Sequence, residues 1–297
     1  MSVLLRPYRA DDAPAIAGLL GRGRRAAPHE MLARWREFAR RAYVAERLAV
    51  AEVEGEVAGY AYCFAQESRS RPVSHFHIQV DPERRRRGIG SDLLQRFTDA
   101  PRAVEGSCLE CEIPASWRSG AAFLEHHGFE SRPSLERLGR ALGAETPPEV
   151  PAGFALRRLV DLGDGGDLAR WAELHEECFA GALHFRSMDA QHAASLARER
   201  GAEVWVLEDR AGEWAGYAHV ADRDRRTGTL VELAVAPACR SRGFGKLLAR
   251  AALAALAQRG RQRCELLVEA GAPHAARLYR GLGFTPVLRL DCWRRER

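Results

Sequence analysis

The sequence predicts an α/β fold in which a mixed sheet is built twice in tandem, and three observations lead to that prediction. Short motifs recur at a spacing of 155 to 157 residues: Gly-x-Gly starts at Gly88 and again at Gly243, and Ala-Gly-Tyr-Ala starts at Ala58 and again at Ala215. β-rich runs alternate with helical patterns in each half. A segment rich in proline and glycine, residues 143–153, lies between the halves. Repeats at this spacing indicate two copies of one folding unit.

Each half opens with a strand and a helix, at LLRPYRADDAPAIAGLL and at FALRRLVDLGDGGDLARWAEL. Two β-rich runs then flank Glu-Gly-Glu in the first half and Arg-Ala-Gly in the second, which predicts a hairpin in each. HFHIQVDP and TLVELAVAP predict the next strands, and SDLLQRFTDA and KLLARAALAALAQRG predict amphipathic helices, the second closed by Gly260. A strand and a short helix ending at Gly-Phe complete each half, at Gly128 and at Gly283.

The composition is that of a globular protein with two domains of ordinary size. The chain has 297 residues, a formal net charge of +5, and 46% hydrophobic and 29% charged residues. The mild positive charge favours phosphate-bearing ligands but does not distinguish a nucleotide cofactor from nucleic acid. Because the basic residues are dispersed and not interleaved with aromatic ones, we expect no binding to nucleic acid.

The N-terminal MSVLLRPYRADD has no signal-peptide core, and no apolar run approaches the length of a membrane-spanning helix. We therefore expect a cytoplasmic protein with no membrane segment. Seven cysteines are present, and only Cys108 and Cys111 lie close together. A single Cys-x-x-Cys with no second pair is a poor zinc site, so we predict no metal, and the pattern suits a reducing compartment without disulfides.

The loop before each predicted helix carries Arg-x-x-Gly-x-Gly, which begins at Arg85 and at Arg240. Glycine lets backbone N–H groups approach an anion closely, and a helix N-terminus adds unsatisfied donors and partial positive charge. A Rossmann loop would need a third glycine where Leu93 and Leu248 stand, and neither copy has the Gly-Lys-Ser/Thr of a Walker loop. The alternatives are a pyrophosphate-binding turn or a helix cap with solvated arginines, and recurrence in register favours the first.

With these motifs in place, LAVAPACRSRGFGKLL resembles the acetyl-CoA-binding motif of the GNAT superfamily of N-acyltransferases, and IQVDPERRRRGIGSDLL resembles a second copy. AARLYRGLGF is similar to the helix that follows in that family. The resemblance implies two tandem GNAT domains with splayed central strands, residues 1–143 and 154–297, joined by a linker at 144–153. This arrangement is like that of mycothiol synthase.

The resemblance also implies which residues hold acetyl-CoA, with the cofactor entering between the splayed strands. Backbone groups of Leu233, Ala234 and Val235 would pair with the pantetheine arm. The pyrophosphate would lie against the second loop, formed by Arg240, Ser241, Arg242, Gly243, Phe244, Gly245 and Lys246. The corresponding residues of the first half are Ile78, Val80, Arg85, Arg87, Gly88, Ile89, Gly90 and Ser91.

Two residues are candidates for the chemistry of acetyl transfer, which needs a base for the ammonium and an acid for the departing thiolate. Tyr279 stands at the position of the family's tyrosine acid; the alternative is a tyrosine that only packs in the core. Glu232 is a carboxylate in an apolar strand, on the same predicted face as Ala234. It is a candidate general base, and an ion pair with an arginine is the alternative.

The first half departs from this pattern, because Leu124 replaces the tyrosine and His77 replaces the glutamate. His75 lies on the same predicted strand face as His77, and both are either pocket-lining or structural. The second half departs too, since Gly271-Ala272-Pro273 stands where the family often has an asparagine.

The sequence therefore predicts an acetyl-CoA-dependent N-acetyltransferase with catalysis in the C-terminal domain and a catalytically degenerate N-terminal domain. The acceptor would be a small-molecule amine or a peptide amine, and neither its identity nor the oligomeric state follows from the sequence. The alternative is a non-catalytic acyl-CoA-binding or sensing protein with two cofactor sites.

Overall fold

The computed structural model describes residues 2–21, 28–39, 48–66, 73–98, 108–159, 166–182 and 187–296. The first half of the sequence contributes β1 (Leu4–Pro7), α1 (Ala13–Gly21), α2 (Pro28–Ala39), β2 (Leu48–Val53), β3 (Glu56–Gln66), β4 (Val73–Val80), α3 (Ile89–Thr98), β5 (Cys108–Pro114), α4 (Arg118–His126) and β6 (Glu130–Ala141). The second half contributes β7 (Phe154–Arg158), α5 (Gly166–Phe179), α6 (Ala190–Ala197), β8 (Glu203–Asp209), β9 (Trp214–Asp222), β10 (Thr227–Val235), α7 (Phe244–Gln258), β11 (Arg263–Glu269), α8 (Pro273–Gly281) and β12 (Thr285–Glu296).

These elements form two compact units. Unit 1 contains Met1–Cys111, Leu124–Glu130 and Trp293–Arg297, and unit 2 contains Glu112–Phe123 and Ser131–Cys292. Each unit thus includes a strand segment from the other half of the sequence: nearly all of β6 belongs to unit 2, and the end of β12 belongs to unit 1. The predicted linker at 144–153 carries no helix or strand, and the domain limits of 1–143 and 154–297 stay a prediction.

Both units have mixed sheets. In unit 1 the strand order is β1-β2-β3-β4-β5 followed by the end of β12, and in unit 2 it is β12-β6-β11-β10-β9-β8-β7. The hairpins β2–β3 and β8–β9 are antiparallel, as predicted from their turn residues. The strands β6 and β12, which follow the Gly-Phe pairs, were not predicted. The α/β fold class is confirmed.

The central strands of each unit are splayed. In unit 2 the parallel pairing of β10 with β11 is confined to Thr227–Thr229 against Arg263–Glu265. In unit 1 the pairing of β4 with β5 is confined to Val73–His75 against Cys108–Glu110. Among the described residues, the remainder of β4 and of β10 continues beyond this parallel pairing, and the strands have separated there.

Helices cover both faces of the sheet in unit 2, and the alternation of β9 assigns its residues to the two sides. Ala218 and Val220 pack with the buried face of α7, whereas Tyr217 packs with Trp171 of α5. On β10, Leu233 and Val235 contact the α7 side, and Ala234 belongs to the α5 side.

The repeat extends to side-chain contacts. Arg6 binds the carboxylates of Asp12 and Glu52 in unit 1, with N–O distances of 2.7 Å to each. In unit 2, Arg157 binds Asp167 at 2.9 Å and Glu208 at 3.2 Å. The two units therefore repeat an arginine that ties the first strand to the second and to the segment that follows the first strand.

No helix in the described ranges is long and apolar enough to cross a membrane. Among these same residues, His, Cys, Asp and Glu side chains form no group of three suited to a metal ion.

Candidate active site

The opening in unit 2 leaves one edge of β10 without a strand partner. Leu233, Ala234 and Val235 pair on the other edge with β9, opposite Ala218, Tyr217 and Gly216. This pairing is close, because a Cβ built on Gly216 would lie 2.5 Å from the carbonyl oxygen of Ala234. The carbonyl of Ala234 points to β9, so its position was predicted wrongly as a main-chain contact, whereas Leu233 and Val235 direct their main-chain groups to the edge that faces β11, where an extended ligand could pair with them.

The loop between β10 and α7 presents main-chain donors at the same end of the opening. Gly243 is the N-cap of α7 with φ of +83°, and a Cβ built there would meet nothing within 4 Å. In the described part of the chain, the amides from Arg242 to Gly245 donate to no protein acceptor. Two nearby amides are occupied, since Arg240 donates to Pro237 at 3.3 Å and Lys246 donates to Gly243 at 3.0 Å. Four consecutive free donors at a helix N-terminus are suited to an anion.

The guanidinium of Arg240 holds the loop in place. Its Nε donates to the carbonyl of Val235 at 3.3 Å, and its Nη2 donates to the carbonyl of Cys178 on α5 at 3.1 Å. Unit 1 repeats the first of these bonds, with Arg85 Nε donating to Val80 at 3.2 Å. The arginine that starts each motif therefore braces the turn through main-chain carbonyls.

The second arginine of the loop, Arg242, is held by aromatic rings. Its guanidinium carbon lies 4.7 Å from the ring centre of Phe244 and 5.3 Å from that of Phe154, and the two rings meet edge to face. Such stacking fixes a positive charge beside the free amides. The ring of Phe244 itself is buried, so of the predicted contacts at this position only its amide faces the loop.

Unit 1 has the same turn. Gly88 has φ of +83°, and Arg86 has φ of 62° where Ser241 has 63° in unit 2. The amides of Gly88, Ile89 and Gly90 donate to no protein acceptor among the described residues. Ser91 differs from its counterpart Lys246, because its hydroxyl lies 3.0 Å from Nε2 of His127.

The remaining predicted positions of unit 1 lie on β4 and in the loop. Ile78 and Val80 pair with Ala61 and Gly59 of β3, and Arg87 is exposed. The structure thus places the predicted cofactor-binding residues of each unit on its central strand and in the loop that follows it, and their role stays a prediction.

Glu232 lies on β10 directly after a β-bulge at Val231, and its side chain is only 16% exposed. Tyr217 donates a hydrogen bond to Glu232 Oε2 at 3.0 Å. Burial opposes ionisation of this carboxyl, but the hydrogen bonds from His175 and Tyr217, together with the attraction of the two imidazoles when they are protonated, outweigh it, and the pKa of Glu232 falls below its usual value. Glu232 is therefore an anion at neutral pH.

Sequence reasoning missed the three groups that surround Glu232, and two of them, His175 and Tyr217, contact it in series. Nδ1 of His175 on α5 lies 3.0 Å from the hydroxyl of Tyr217 and 3.5 Å from Glu232 Oε1. Tyr217 belongs to the repeated Ala-Gly-Tyr-Ala, so its recurrence was a usable signal. His175 carried none, because it lies on an amphipathic helix in a stretch without a recognisable motif.

His219 is the third neighbour of this carboxylate, and it faces Glu232 across the β9–β10 pair. It is fully buried, and within the described chain neither of its ring nitrogens has a hydrogen-bond partner. Burial lowers the pKa of His219 to about 4, so this imidazole is neutral at physiological pH.

Tyr279 of α8 lies in the core on the α7 side and packs against Phe284, with ring centres 5.7 Å apart. Burial raises the pKa of Tyr279 above its usual value, so its phenol stays protonated. Because Leu233 and Val235 contact this core cluster, the acid candidate and Glu232 lie on opposite sides of β10 with the open edge between them.

At the equivalent place in unit 1 a tyrosine again contacts the titratable residue of the strand. The hydroxyl of Tyr60 lies 3.2 Å from Nε2 of His77. His75 is buried on the same strand and stacks on Phe64. Leu124, at the position of Tyr279, is buried and has no proton to donate.

Comparison with known proteins agrees with this geometry. Residues 168–284 match the acetyltransferase (GNAT) family, and residues 44–131 match an acetyltransferase (GNAT) domain. A mycothiol acetyltransferase of Thermobispora bispora is 30% identical over 77% of this chain and 77% of its own length. A mycothiol acetyltransferase of a Nocardioides species is also 30% identical, over 70% of this chain and 75% of its own.

Solved structures show the same fold. A GCN5-related N-acetyltransferase from Sphaerobacter thermophilus has a TM-score of 0.77 with 23% identity, covering 99% of this chain and 95% of that one. A tandem GNAT protein from the clavulanic acid biosynthesis pathway has a TM-score of 0.72 with 22% identity, covering 99% and 98%. With two matching domains, and with relatives 30% identical over at least 70% of this chain, the chain belongs to the acetyltransferase (GNAT) family as a tandem-domain N-acetyltransferase.

Proposed function

We propose that the chain transfers an acetyl group from acetyl-CoA to a primary amine, and that unit 2 carries out the reaction. The observation that supports this most strongly is the open edge of β10, flanked at one end by the free amides of residues 242–245. Only an elongated ligand with an anionic end uses both features together.

The residues present fit coenzyme A. Main-chain groups of Leu233 and the amide of Val235 would hold the pantetheine arm, and the amides from Arg242 to Gly245 would hold the pyrophosphate. The space above Gly243 is open, so the anion can approach the main chain directly. The guanidinium of Arg242 adds a positive charge at this place.

The bound cofactor would supply an acyl group activated as a thioester. The chain supplies the proton transfers: Glu232 is an anion that takes a proton from the ammonium of the acceptor, directly or through a water. Tyr279 keeps a proton on its hydroxyl, which is the kind of donor that a departing thiolate needs.

For the acceptor we put a small-molecule amine first. The curated relatives are named mycothiol acetyltransferases, and at 30% identity this suggests an amino-sugar thiol as the leading compound for a screen. Aminoglycosides, simple amines and peptide N-termini complete the screen. Because a thiol acceptor would obscure release of coenzyme A, products are detected by mass as the acetylated acceptor.

The experiment that tests this assignment compares Glu232→Gln with the matched variant His77→Gln in unit 1. Loss of a general base costs about 100-fold or more in rate, so Glu232→Gln should lose that much, whereas His77→Gln should keep the wild-type rate. Both proteins must first give wild-type circular dichroism. A fully active Glu232→Gln would remove Glu232 from the mechanism.

One observation favours binding without turnover in unit 1. Its loop repeats the backbone of unit 2, but Leu124 and His77 replace the acid and the base. We propose that unit 1 holds a second cofactor without acetylating an acceptor. Calorimetry that finds one site of coenzyme A per chain would contradict this.

A further inference from the structure

The candidate base is not an isolated carboxylate, because three groups on two elements converge on it. Tyr217 and His219 approach from β9, and His175 approaches from α5. Two contacts run in series: Nδ1 of His175 to the hydroxyl of Tyr217 at 3.0 Å, and that hydroxyl to Glu232 Oε2 at 3.0 Å.

The positions of the protons follow from counting donors. A tyrosine hydroxyl has one hydrogen, and here it is directed to the carboxylate. Burial and the charge of Glu232 raise the pKa of Tyr217 well above its usual value, so this hydrogen is retained. The hydroxyl oxygen can then only accept from the imidazole, and Nδ1 of His175 is the donor. Hydrogen bonds therefore run in one direction, from His175 through Tyr217 to Glu232.

We propose that His175 is a positioning residue of the acetyl-transfer reaction, which orients Glu232 through Tyr217 and switches the base off when its imidazole becomes charged. The proposal rests on the proposed function, since it assigns a role around the same base.

The chemistry of the switch is electrostatic. An imidazolium 3.5 Å from Glu232 Oε1 would form an ion pair with the carboxylate and reduce its affinity for the proton of the acceptor. Neutral His175 keeps the directing hydrogen bond without the opposing charge. Histidine is the side chain that changes charge between pH 5 and 8, so activity should fall as the pH is lowered through that range.

Other titratable groups near His175 do not account for such a change. His219 on β9 is neutral down to about pH 4, since burial lowers its pKa to about 4. Cys178 on α5 stays a thiol, because burial raises its pKa to about 11. Tyr217 stays protonated and Glu232 stays ionised, as described above. Among the described groups around the carboxylate, His175 is the remaining imidazole in contact with it.

The test compares pH–rate profiles of kcat/KM for His175→Asn and His175→Ala with the acceptor found in the screen. Asparagine places an amide close to the position of Nδ1, so it can still donate to Tyr217, but it does not titrate. We expect His175→Asn to keep most of the wild-type rate at pH 8. Its kcat/KM should not show the wild-type decrease between pH 7 and pH 5. His175→Ala should lose about tenfold to 100-fold at every pH, because the directing donor is gone. His126→Asn, at an exposed imidazole of unit 1, serves as the control and should keep the wild-type profile.

Two results would overturn the proposal. The first is a fall in kcat/KM of His175→Asn at the same pH as in the wild type, and the second is an equal loss of rate in the asparagine and alanine variants. The first would assign this fall to another group, and the second would reduce His175 to packing. Failure of the proposed function has a different signature, namely full activity of Glu232→Gln or no acetylation by the wild type. All variants are first matched for thermal unfolding and for binding of coenzyme A.

Discussion

At the turn before α3, Gly88 has φ of +83°, and at the turn before α7, Gly243 has the same value. The agreement continues through the free amides, the bracing arginine and the splayed strand pair of each unit. It ends at the side chains near the opening, where unit 2 has Glu232 and Tyr279 and unit 1 has His77 and Leu124. The two units thus share the main-chain features of the turn and differ in the side chains suited to proton transfer.

The largest expected effect comes from placing a charge in each anion-binding turn. Gly243→Asp should eliminate turnover, because a carboxylate would occupy the open space where we place the pyrophosphate. Gly88→Asp should leave most of the turnover and remove at most one cofactor site. Steady-state rates and calorimetry with coenzyme A check both statements.

Backbone strain in these variants needs its own control, since aspartate at a φ of +83° is strained whatever its charge. Gly243→Asn provides it, because asparagine tolerates the left-handed region and has no charge. If Gly88→Asp were the inactive variant, the active unit would be reversed and His75 or His77 would become the candidate base.

A smaller effect is expected for Tyr279→Phe, which removes one hydroxyl and keeps the ring against Phe284. If the phenol is the proton donor, kcat should fall about tenfold to 1,000-fold with the fold intact. Leu124→Phe is the matched change in unit 1 and should leave kcat as it is. A Tyr279→Phe enzyme at full speed would make this tyrosine a packing residue.

The smallest expected effect is on the free energy of unfolding, and it concerns the ion pairs that recur in the two units but differ in burial. Side chains of Arg6 and Asp12 are 12% and 7% exposed, whereas those of Arg157 and Asp167 are 39% and 22% exposed. Asp12→Asn should therefore lower the free energy of unfolding by about 2 kcal/mol, the range for buried bonds to charged groups. Asp167→Asn should lower it by about 1 kcal/mol or less, as for more exposed pairs. Urea denaturation of both variants gives the comparison.

The same pair predicts how stability depends on pH. Burial opposes the charge of Asp12, but the bonds from Arg6 and from the Arg9 amide outweigh it and lower the pKa of Asp12. Its contribution is therefore present above the unfolded pKa of about 3.9 and is lost as the pH falls through the lower folded value. The difference in free energy of unfolding between the wild type and Asp12→Asn should be constant near neutral pH and should decrease below about pH 4. A difference that stayed the same well below that pH would contradict the assignment.

The features that recur in both halves could be predicted from the sequence. The hairpins, the glycine turns and the helices after them were predicted because each has a local signal and appears twice. β6 and β12 were missed although LRLDC in β12 alternates apolar and charged residues, and Leu290 and Cys292 are buried accordingly. Their arginines and the prolines at Pro133 and Pro286 obscured that pattern.

The candidate site was predictable only in part for a related reason. Glu232 was visible as a carboxylate in an apolar strand, because local sequence shows such a mismatch. His175 and His219 were not, since their relation to Glu232 depends on the packing of α5 on the sheet and on the bulge at Val231. Contacts between residues distant in sequence need the tertiary fold.

Most of β6 belongs to unit 2 and the end of β12 belongs to unit 1, and this affects the order in which the units can fold during synthesis. Residues 293–296 belong to unit 1, where Arg294 reaches Glu110 across 184 residues of chain. The sheet of unit 1 therefore cannot be completed until the end of β12 has been synthesised, although most of its strands are synthesised earlier. Contacts of such long sequence separation slow folding and leave a sheet edge open in the meantime. A nascent chain that stops before residue 293 should consequently lack the strand segment that contacts β5 through Arg294 and Glu110.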